Sequence, residues 1–165
     1  MDIDLTSIII SIVALSFFFV PIFYYEVYKK RAAKKLESYF NDLARENKIG
    51  LTQYEVWRDS YAIGIDRDSN HVFYLKKNNA QDKTDLVDLS EIKKCRVSRI
   101  ENKIKTDNGY TKITSRVDLE LTHYNPKFSD IKIEFFREEG GNTLRNEVLL
   151  AEKWSGVINS RLSKY

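Results

Sequence analysis

Only a few side chains in this sequence have types and spacings that could bind a metal ion. The run Asp66–Asn70 (DRDSN) begins like a calcium loop, in which acidic and amide side chains at alternate positions supply oxygen ligands. Such a loop needs glycine at its sixth position and glutamate at its twelfth, where this chain has His71 and Lys77. We therefore interpret the run as a hairpin turn and predict no metal site there.

The remaining reactive residue types are isolated from one another. His71 and His123 stand in no metal-ligand spacing, and Cys95 alternates with Val97 as an apolar strand position would. Gly140-Gly141 follows two glutamates, which favours a turn before a helix over a phosphate-binding loop. These patterns predict no catalytic residue, no cofactor and no metal, so we expect a binding protein. An enzyme is the weaker alternative, supported only by scattered acidic residues.

Charge is distributed unevenly along the 165 residues, whose formal net charge is +3. Residues 1–25 carry −2, and residues 26–48 carry +3 from seven basic and four acidic side chains. The remaining residues 49–165 carry only +2. A nearly neutral domain has little attraction for a phosphate backbone, so we predict no nucleic-acid partner.

The segment Leu5–Tyr25 holds 21 consecutive uncharged residues, of which 13 are Leu, Ile, Val or Phe. As a helix it would span about 31 Å, close to the hydrocarbon thickness of a bilayer. Asp2 and Asp4 precede it, and a basic group follows: Lys29, Lys30, Arg31, Lys34 and Lys35. Residues 1–25 are therefore predicted to be a single-pass anchor in the lipid bilayer of the inner membrane, with the N-terminus outside. A cleaved signal peptide and a buried core helix are the alternatives.

Residues 26–49 are predicted to continue as a basic amphipathic helix that stops near Gly50. Its apolar positions Ala32, Leu36, Phe40 and Leu43 recur at helical spacing. We expect this stripe to pack against the following domain, since it is too short for a coiled coil. The basic group either sets the topology or senses anionic lipid.

From residue 50 onward the pattern alternates as in antiparallel strands that have one buried and one solvated face. The predicted strands are Ser60–Asp66, His71–Lys77, Leu86–Leu89, Ile92–Ile100, Thr114–Thr122 and Ile131–Phe136. A polar connection with a tight turn at Asp107-Asn108-Gly109 is expected between Glu101 and Ile113.

After Gly141 the period becomes helical. Asn142 or Thr143 is expected to cap a helix. Its apolar stripe would bury itself against the sheets as a plug, and comprises Leu144, Val148, Ala151, Trp154 and Ile158. The fold class is therefore α+β.

The stretch Tyr61–Leu162 resembles the bacterial PH-like (pleckstrin-homology-like) domains of small membrane-anchored proteins. The matching pieces are AIGIDRDSNHVFYL, VDLSEIKKCRV, RVDLELTHYNPKFSDIKIEFF and AEKWSGVINSRL. The resemblance implies a bent antiparallel β-sandwich or partly open barrel of seven strands in residues 50–165. Its open corner would be plugged by the C-terminal helix that carries Trp154. Many relatives have a Gly-rich apolar insert where this chain has the polar stretch Asn102–Ile113.

We therefore expect a membrane-tethered, non-catalytic module whose cytoplasmic domain recruits a protein partner. Its sheet edges and the loops Asn78–Asp85, Asn102–Ile113 and His123–Asp130 would receive a peptide of that partner. The alternative is recognition of a lipid headgroup or small ligand by the domain itself. A specific inositol-phosphate site is not expected, because the first hairpin offers Arg67 between two aspartates.

Overall fold

The computed structural model describes residues 5–78, 80–106 and 109–162. Its two helices are α1 (Leu5–Glu46) and α2 (Glu147–Leu162). Seven strands lie between them: β1 (Gln53–Trp57), β2 (Tyr61–Asp66), β3 (His71–Lys76), β4 (Lys83–Asp88), β5 (Ile92–Thr106), β6 (Gly109–His123) and β7 (Ile131–Arg137). A short 3-10 helix at Leu89–Glu91 joins β4 to β5. The α+β class, the apolar N-terminal helix and the C-terminal helix are confirmed.

Helix α1 runs without interruption for 42 residues, with Pro21 inside it. It ends at Glu46, because Lys48 adopts a left-handed conformation (φ 59°). The amide of Ile49 then donates to the carbonyl of Ala44, and that of Lys48 to the carbonyl of Arg45. The helix therefore ends four residues before Gly50, and the left-handed residue that follows its end is Lys48 rather than the glycine expected there.

The strands form two antiparallel sheets, one ordered β1-β2-β3-β4 and the other β5-β6-β7. The predicted β2–β3 hairpin forms, with Asp66 opposite His71. Sequence patterning did not predict β1, and it placed Leu89 in a strand although that residue lies in the 3-10 helix. No closed barrel forms from the described strands.

The stretch between Glu101 and Ile113 is not a loop, which corrects the sequence prediction. It forms six further residue pairs of β5 with β6, from Glu101 opposite Thr114 to Thr106 opposite Gly109. Most of its described side chains are exposed to solvent, among them Asn102, Lys103, Lys105, Tyr110 and Lys112, so no burial pattern marks it. The predicted turn at residues 107 and 108 lies outside the described residues.

The main core lies between the two sheets and α2. Its fully buried side chains include Trp154, Tyr74, Phe135, Ile63, Ile65, Leu119 and Leu121. Trp57 borders this core, stacks on Tyr61 and Phe135, and donates from Nε1 to the carbonyl of Phe135 at 3.0 Å.

A second core lies on the outer face of the first sheet, where the C-terminal part of α1 docks. Leu36, Phe40 and Ala44 are buried there against Ala62 and Phe73. Every residue of β2 is consequently buried, so the expectation of one solvated face is wrong for this strand. The helix, which alternation within a strand cannot reveal, covers that face.

Helix α2 begins at Glu147, five residues after Asn142, so the predicted cap is wrong. The carboxylate of Glu147 accepts from the amide of Arg145 at 2.6 Å and from Nε of Arg58 at 2.5 Å. Leu144 packs against the main core from the segment before the helix. On the helix itself, Ala151, Trp154 and Ile158 are buried, and Val148 is half-buried.

Candidate interaction site

The residue types that could perform chemistry lie apart in the structure. Burial raises the pKa of the Cys95 thiol to about 11. His71 contacts the carbonyl of Ser69 through Nδ1, and His123 packs against Phe128 with ring centroids 5.5 Å apart. Among residues 5–78, 80–106 and 109–162, no group of three or more His, Cys, Asp or Glu side chains is placed to hold a metal ion.

The five basic residues predicted at the membrane interface lie on α1 just before its docked part. Arg31, Lys34 and Lys35 are exposed, and Lys29 lies over the ring of Tyr25 with Nζ 4.7 Å from its centroid. Within the described part of the chain, the only salt bridge on α1 joins Arg45 to Asp42. The basic group is therefore accessible to anions from solvent or a membrane surface.

The N-terminal part of α1 is apolar and exposed. Phe17, Phe18 and Phe23 are 83%, 69% and 76% exposed, and the helix is long and apolar enough to span a membrane or to act as a signal sequence. None of this apolar window is buried within the chain. The alternative that this apolar segment is a buried core helix of the folded domain is therefore wrong.

The docked part of α1 defines two ends of the folded domain. Tyr39 donates to Asp82 at 2.9 Å and lies beneath Lys77, and both partners follow β3. We call this the near end, since the exposed half of α1 projects from it. The opposite end, the far end, contains the β2–β3 turn, where Asp66 accepts from the amide of Gly50 at 3.0 Å.

A buried polar network closes the near end between the sheets. Glu134 accepts from Lys76 at 2.6 Å, from Arg137 at 2.8 Å and from the Tyr61 hydroxyl at 3.0 Å. Burial alone would raise the pKa of Glu134, but these bonds outweigh burial and lower it. Burial raises the pKa of the neighbouring Asp118 more than Arg116 lowers it. Three donors converge on Glu134, so we interpret it as a structural anion.

The far end carries an aromatic pocket, which we take as the candidate interaction site. It has a volume of about 240 Å³ and is lined by Ser90, Glu91, His123, Tyr124, Asn125 and Phe128. Tyr124 and Phe128 are 57% and 60% exposed, although large apolar side chains usually bury most of their surface. The pocket wall is fixed because the amide of Tyr124 donates to the carbonyl of Glu91 at 3.0 Å.

The outer edge of β4 leads to this pocket. Strand β4 pairs only with β3 among the described strands, and it is followed directly by the 3-10 helix that carries Ser90 and Glu91. Leu86 in its middle is 51% exposed, and Lys83 pairs with Asp85 at 2.9 Å. An unpaired edge of this kind can accept an extended peptide, although its charges also discourage aggregation.

Two of the three predicted peptide-binding loops border this surface. The loop 78–85 runs into the β4 edge, and 123–130 supplies the pocket aromatics. The described residues of the third, 102–113, pair as the extension of β5 and β6, and none of them lines the pocket. The sequence predicts 123–130 as a loop, but the roles of Tyr124 and Phe128 in the pocket emerge only from the structure. Two exposed aromatics in a turn of polar residues were the available signal.

Comparisons of the chain with protein-family models, with curated proteins and with solved structures found no match.

Proposed function

We propose that this chain is a membrane-tethered, non-catalytic interaction module whose PH-like domain recruits a protein partner at the cytoplasmic face of the inner membrane. Four antiparallel strands, three more antiparallel strands and a terminal helix with a buried tryptophan support the PH-like assignment. The basic group after the apolar half of α1 supports an orientation with the N-terminus outside.

The observation that carries the proposal is the unbroken α1. The same helix carries the exposed apolar segment and, through Leu36, Phe40 and Ala44, part of the second core. No Gly or Pro lies between Ile22 and Glu46 that would loosen the connection. A membrane-spanning α1 would hold the domain with its near end toward the bilayer and the aromatic pocket away from it, open to a partner.

The partner would occupy the aromatic pocket and the β4 edge as an extended peptide. Main-chain hydrogen bonds to β4 would provide affinity, and an apolar side chain inserted between Tyr124 and Phe128 would provide specificity. Confinement to the membrane raises the effective concentration of any partner that is itself at the membrane.

Photo-crosslinking in cells tests the partner site. A photoreactive amino acid at Phe128 should capture a defined protein, whereas one at Leu149, which is 68% exposed on α2, should not. The crosslink at position 128 should disappear when Tyr124→Ala is introduced. Identical products from both positions, or none from position 128, would contradict the proposal.

The membrane part is tested separately. The chain should resist extraction by alkaline carbonate, and a C-terminal alkaline phosphatase fusion should be inactive. Extraction into the soluble fraction, or an active fusion, would contradict the anchor or its orientation.

A further inference from the structure

The extension of the β5–β6 hairpin points to a second function at the near end. We call residues 101–106 and 109–114 the ribbon. Strand β7 stops pairing with β6 at Arg116, and the amide of Glu138 donates to the carbonyl of Ser115 at 2.8 Å. Beyond this base the ribbon has two strands only. Two-stranded ribbons are marginally stable in water, and no third strand pairs with the described residues of this one, so a further contact would stabilise it.

The contacts of β5 with α2 place the base of the ribbon at the near end, from which the exposed half of α1 also projects. Helix α2 runs from the near end, where Glu147 binds Arg58, to the far end, where Arg161 donates to the carbonyl of Arg67. Strand β5 runs oppositely, since Cys95 contacts Asn159 and Arg99 binds Glu152. The part of β5 after Arg99 therefore passes the start of α2 and leaves the domain at the near end.

The ribbon and the helix extend over similar distances. From Arg116 to Gly109 the ribbon covers about 23 Å at about 3.3 Å per residue. From Tyr39 back to Tyr25, where the uncharged segment ends, α1 covers about 21 Å. Both starting points lie toward the near end, because Lys77 lies over Tyr39 while the adjacent Lys76 binds Glu134 beside Arg137. The ribbon and the undocked part of α1 therefore have comparable lengths from that end.

One face of the ribbon is basic and aromatic. Lys103 lies opposite Lys112, and Lys105 opposite Tyr110, so all four side chains share a face. Tyr110 is 76% exposed and lines a shallow groove with Lys103 and Lys112. Two lysines directly opposite each other destabilise a ribbon in water, and a nearby anion relieves that repulsion. Glu101 pairs with Lys112 at 3.4 Å, and with Asp107 also in the segment, residues 101–114 carry a net charge of +1.

We propose that the described part of the ribbon is a second membrane contact that binds an anionic lipid surface through Lys103, Lys105 and Lys112, with Tyr110 at the headgroup level. Lysine and tyrosine are the residue types that membrane interfaces favour. Glu138 lies at the base, about 20 Å behind the tip and beyond the Debye length, so it does not cancel this attraction. The inference rests on the membrane-spanning α1 of the proposed function. It adds that the domain touches the bilayer at two points and therefore keeps one orientation about the axis of α1.

Spin-label accessibility in nanodiscs tests the contact with the full chain. In a Cys95→Ala background, one label is placed at Thr111→Cys on the ribbon and a reference label at Ser90→Cys on the far end. Discs contain phosphatidylglycerol mixed with phosphatidylcholine, or phosphatidylcholine alone. In anionic discs the label at position 111 should become several-fold less accessible to a water-soluble nickel complex than the label at position 90.

Charge reversal gives the decisive control. Lys103→Glu, Lys105→Glu and Lys112→Glu together should abolish the protection, because each lysine strengthens contact with an anionic surface by about fivefold. The matched variant Lys93→Glu, Lys94→Glu and Lys127→Glu changes the net charge equally, on exposed residues toward the far end, and should retain the protection of the label at position 111.

If both labels are equally accessible in a protein that resists carbonate extraction, the ribbon contact alone is overturned. A protein that carbonate extracts overturns the anchor and the ribbon contact together. Protection that persists after reversal also overturns the ribbon contact.

Discussion

Gly64 lies directly beneath the ring of Phe40, and this close approach joins α1 to the sheet. A Cβ on Gly64 would lie 3.2 Å from Cε1 of Phe40 and 2.7 Å from Cδ2 of Leu51. The Phe40 ring stacks on Phe73, the cross-strand partner of Gly64, with centroids 5.3 Å apart. The glycine therefore lets an aromatic side chain of the helix reach the sheet surface.

Gly64→Ala should destabilise the domain by about 1–3 kcal/mol, because the added methyl group overpacks a site that has no free space. The matched variant is Gly156→Ala on α2, where a Cβ would meet nothing within 4 Å. It should stabilise by about 0.5–1 kcal/mol through helix propensity. Chemical denaturation measures both free energies of unfolding, and similar values for the two variants would contradict the packing described here.

Phe40→Ala should cost about 3–5 kcal/mol, as deletion of a fully buried phenylalanine does. Hydrogen exchange should rise first in α1 from Leu36 to Ala44, since this ring provides much of the docked contact. Phe128→Ala removes a ring that is 60% exposed and should change stability by less than about 0.5 kcal/mol. If hydrogen exchange in α1 is unchanged in the Phe40→Ala variant, Phe40 does not provide the main contact between the helix and the sheet.

These two sites show what the sequence could and could not predict. The helical spacing of Leu36 and Phe40 predicted a packing face, since periodicity reports that a face is buried. The spacing did not identify the surface that covers this helix face, so β2 was expected to have one face exposed to solvent.

Strand β1 and the ribbon were not predicted for a related reason. Their described side chains form no fully buried face, so hydrophobic patterning carried no signal, whereas the β2–β3 hairpin had both alternation and turn residues. The aromatic pocket depends on the contact of Tyr124 with Glu91 across 33 positions, which spacing cannot show.

Glu134→Gln should destabilise the domain by about 3 kcal/mol at pH 7, because Lys76 and Arg137 would lose their charged partner. Since the folded-state pKa of Glu134 is lowered, its contribution is complete above the unfolded value of about 4.3 and is lost as pH falls through the folded value. The stability difference between wild type and Glu134→Gln should therefore shrink below about pH 4.3.

Asp118→Asn provides the opposite trend as a control. Because the folded-state pKa of Asp118 is raised, its stabilising contribution belongs to the protonated form and is lost as pH rises through that value. The variant should gain stability relative to wild type as pH rises toward 7. Denaturation across this range measures both trends, and parallel curves for the two variants would contradict the opposite assignments.

The side chain of Asn159 hydrogen-bonds to the backbone of β5 at the outer edge of the second sheet. Its side chain accepts from the amide of Cys95 at 3.1 Å and donates to the carbonyl of Cys95 at 2.7 Å, as a neighbouring strand would. Asn159→Ala leaves that amide unpaired and should cost about 1–3 kcal/mol.

The Cys95 thiol reports this loss directly. Its burial and raised pKa make it unreactive toward thiol reagents until the domain opens, so labelling in Asn159→Ala should be faster than in wild type. Ser160→Ala, which removes only a bond to the carbonyl of Val157 in the same helix, should label like wild type. Equal labelling rates in all three proteins would show that Asn159 does not hold the edge.

The helical connection between the apolar segment and the domain predicts that they rotate as one body. In nanodiscs, a fluorophore on the far end should show the slow anisotropy decay of the whole disc. Insertion of a five-residue Gly-Ser segment after Arg31, before the docked part of α1, should release the domain and shorten the decay. Five inserted alanines add the same number of residues but continue the helix, so the slow decay should persist. A wild-type decay as fast as that of the Gly-Ser variant would contradict rigid coupling, because a freely tumbling domain could not present a fixed face to the bilayer.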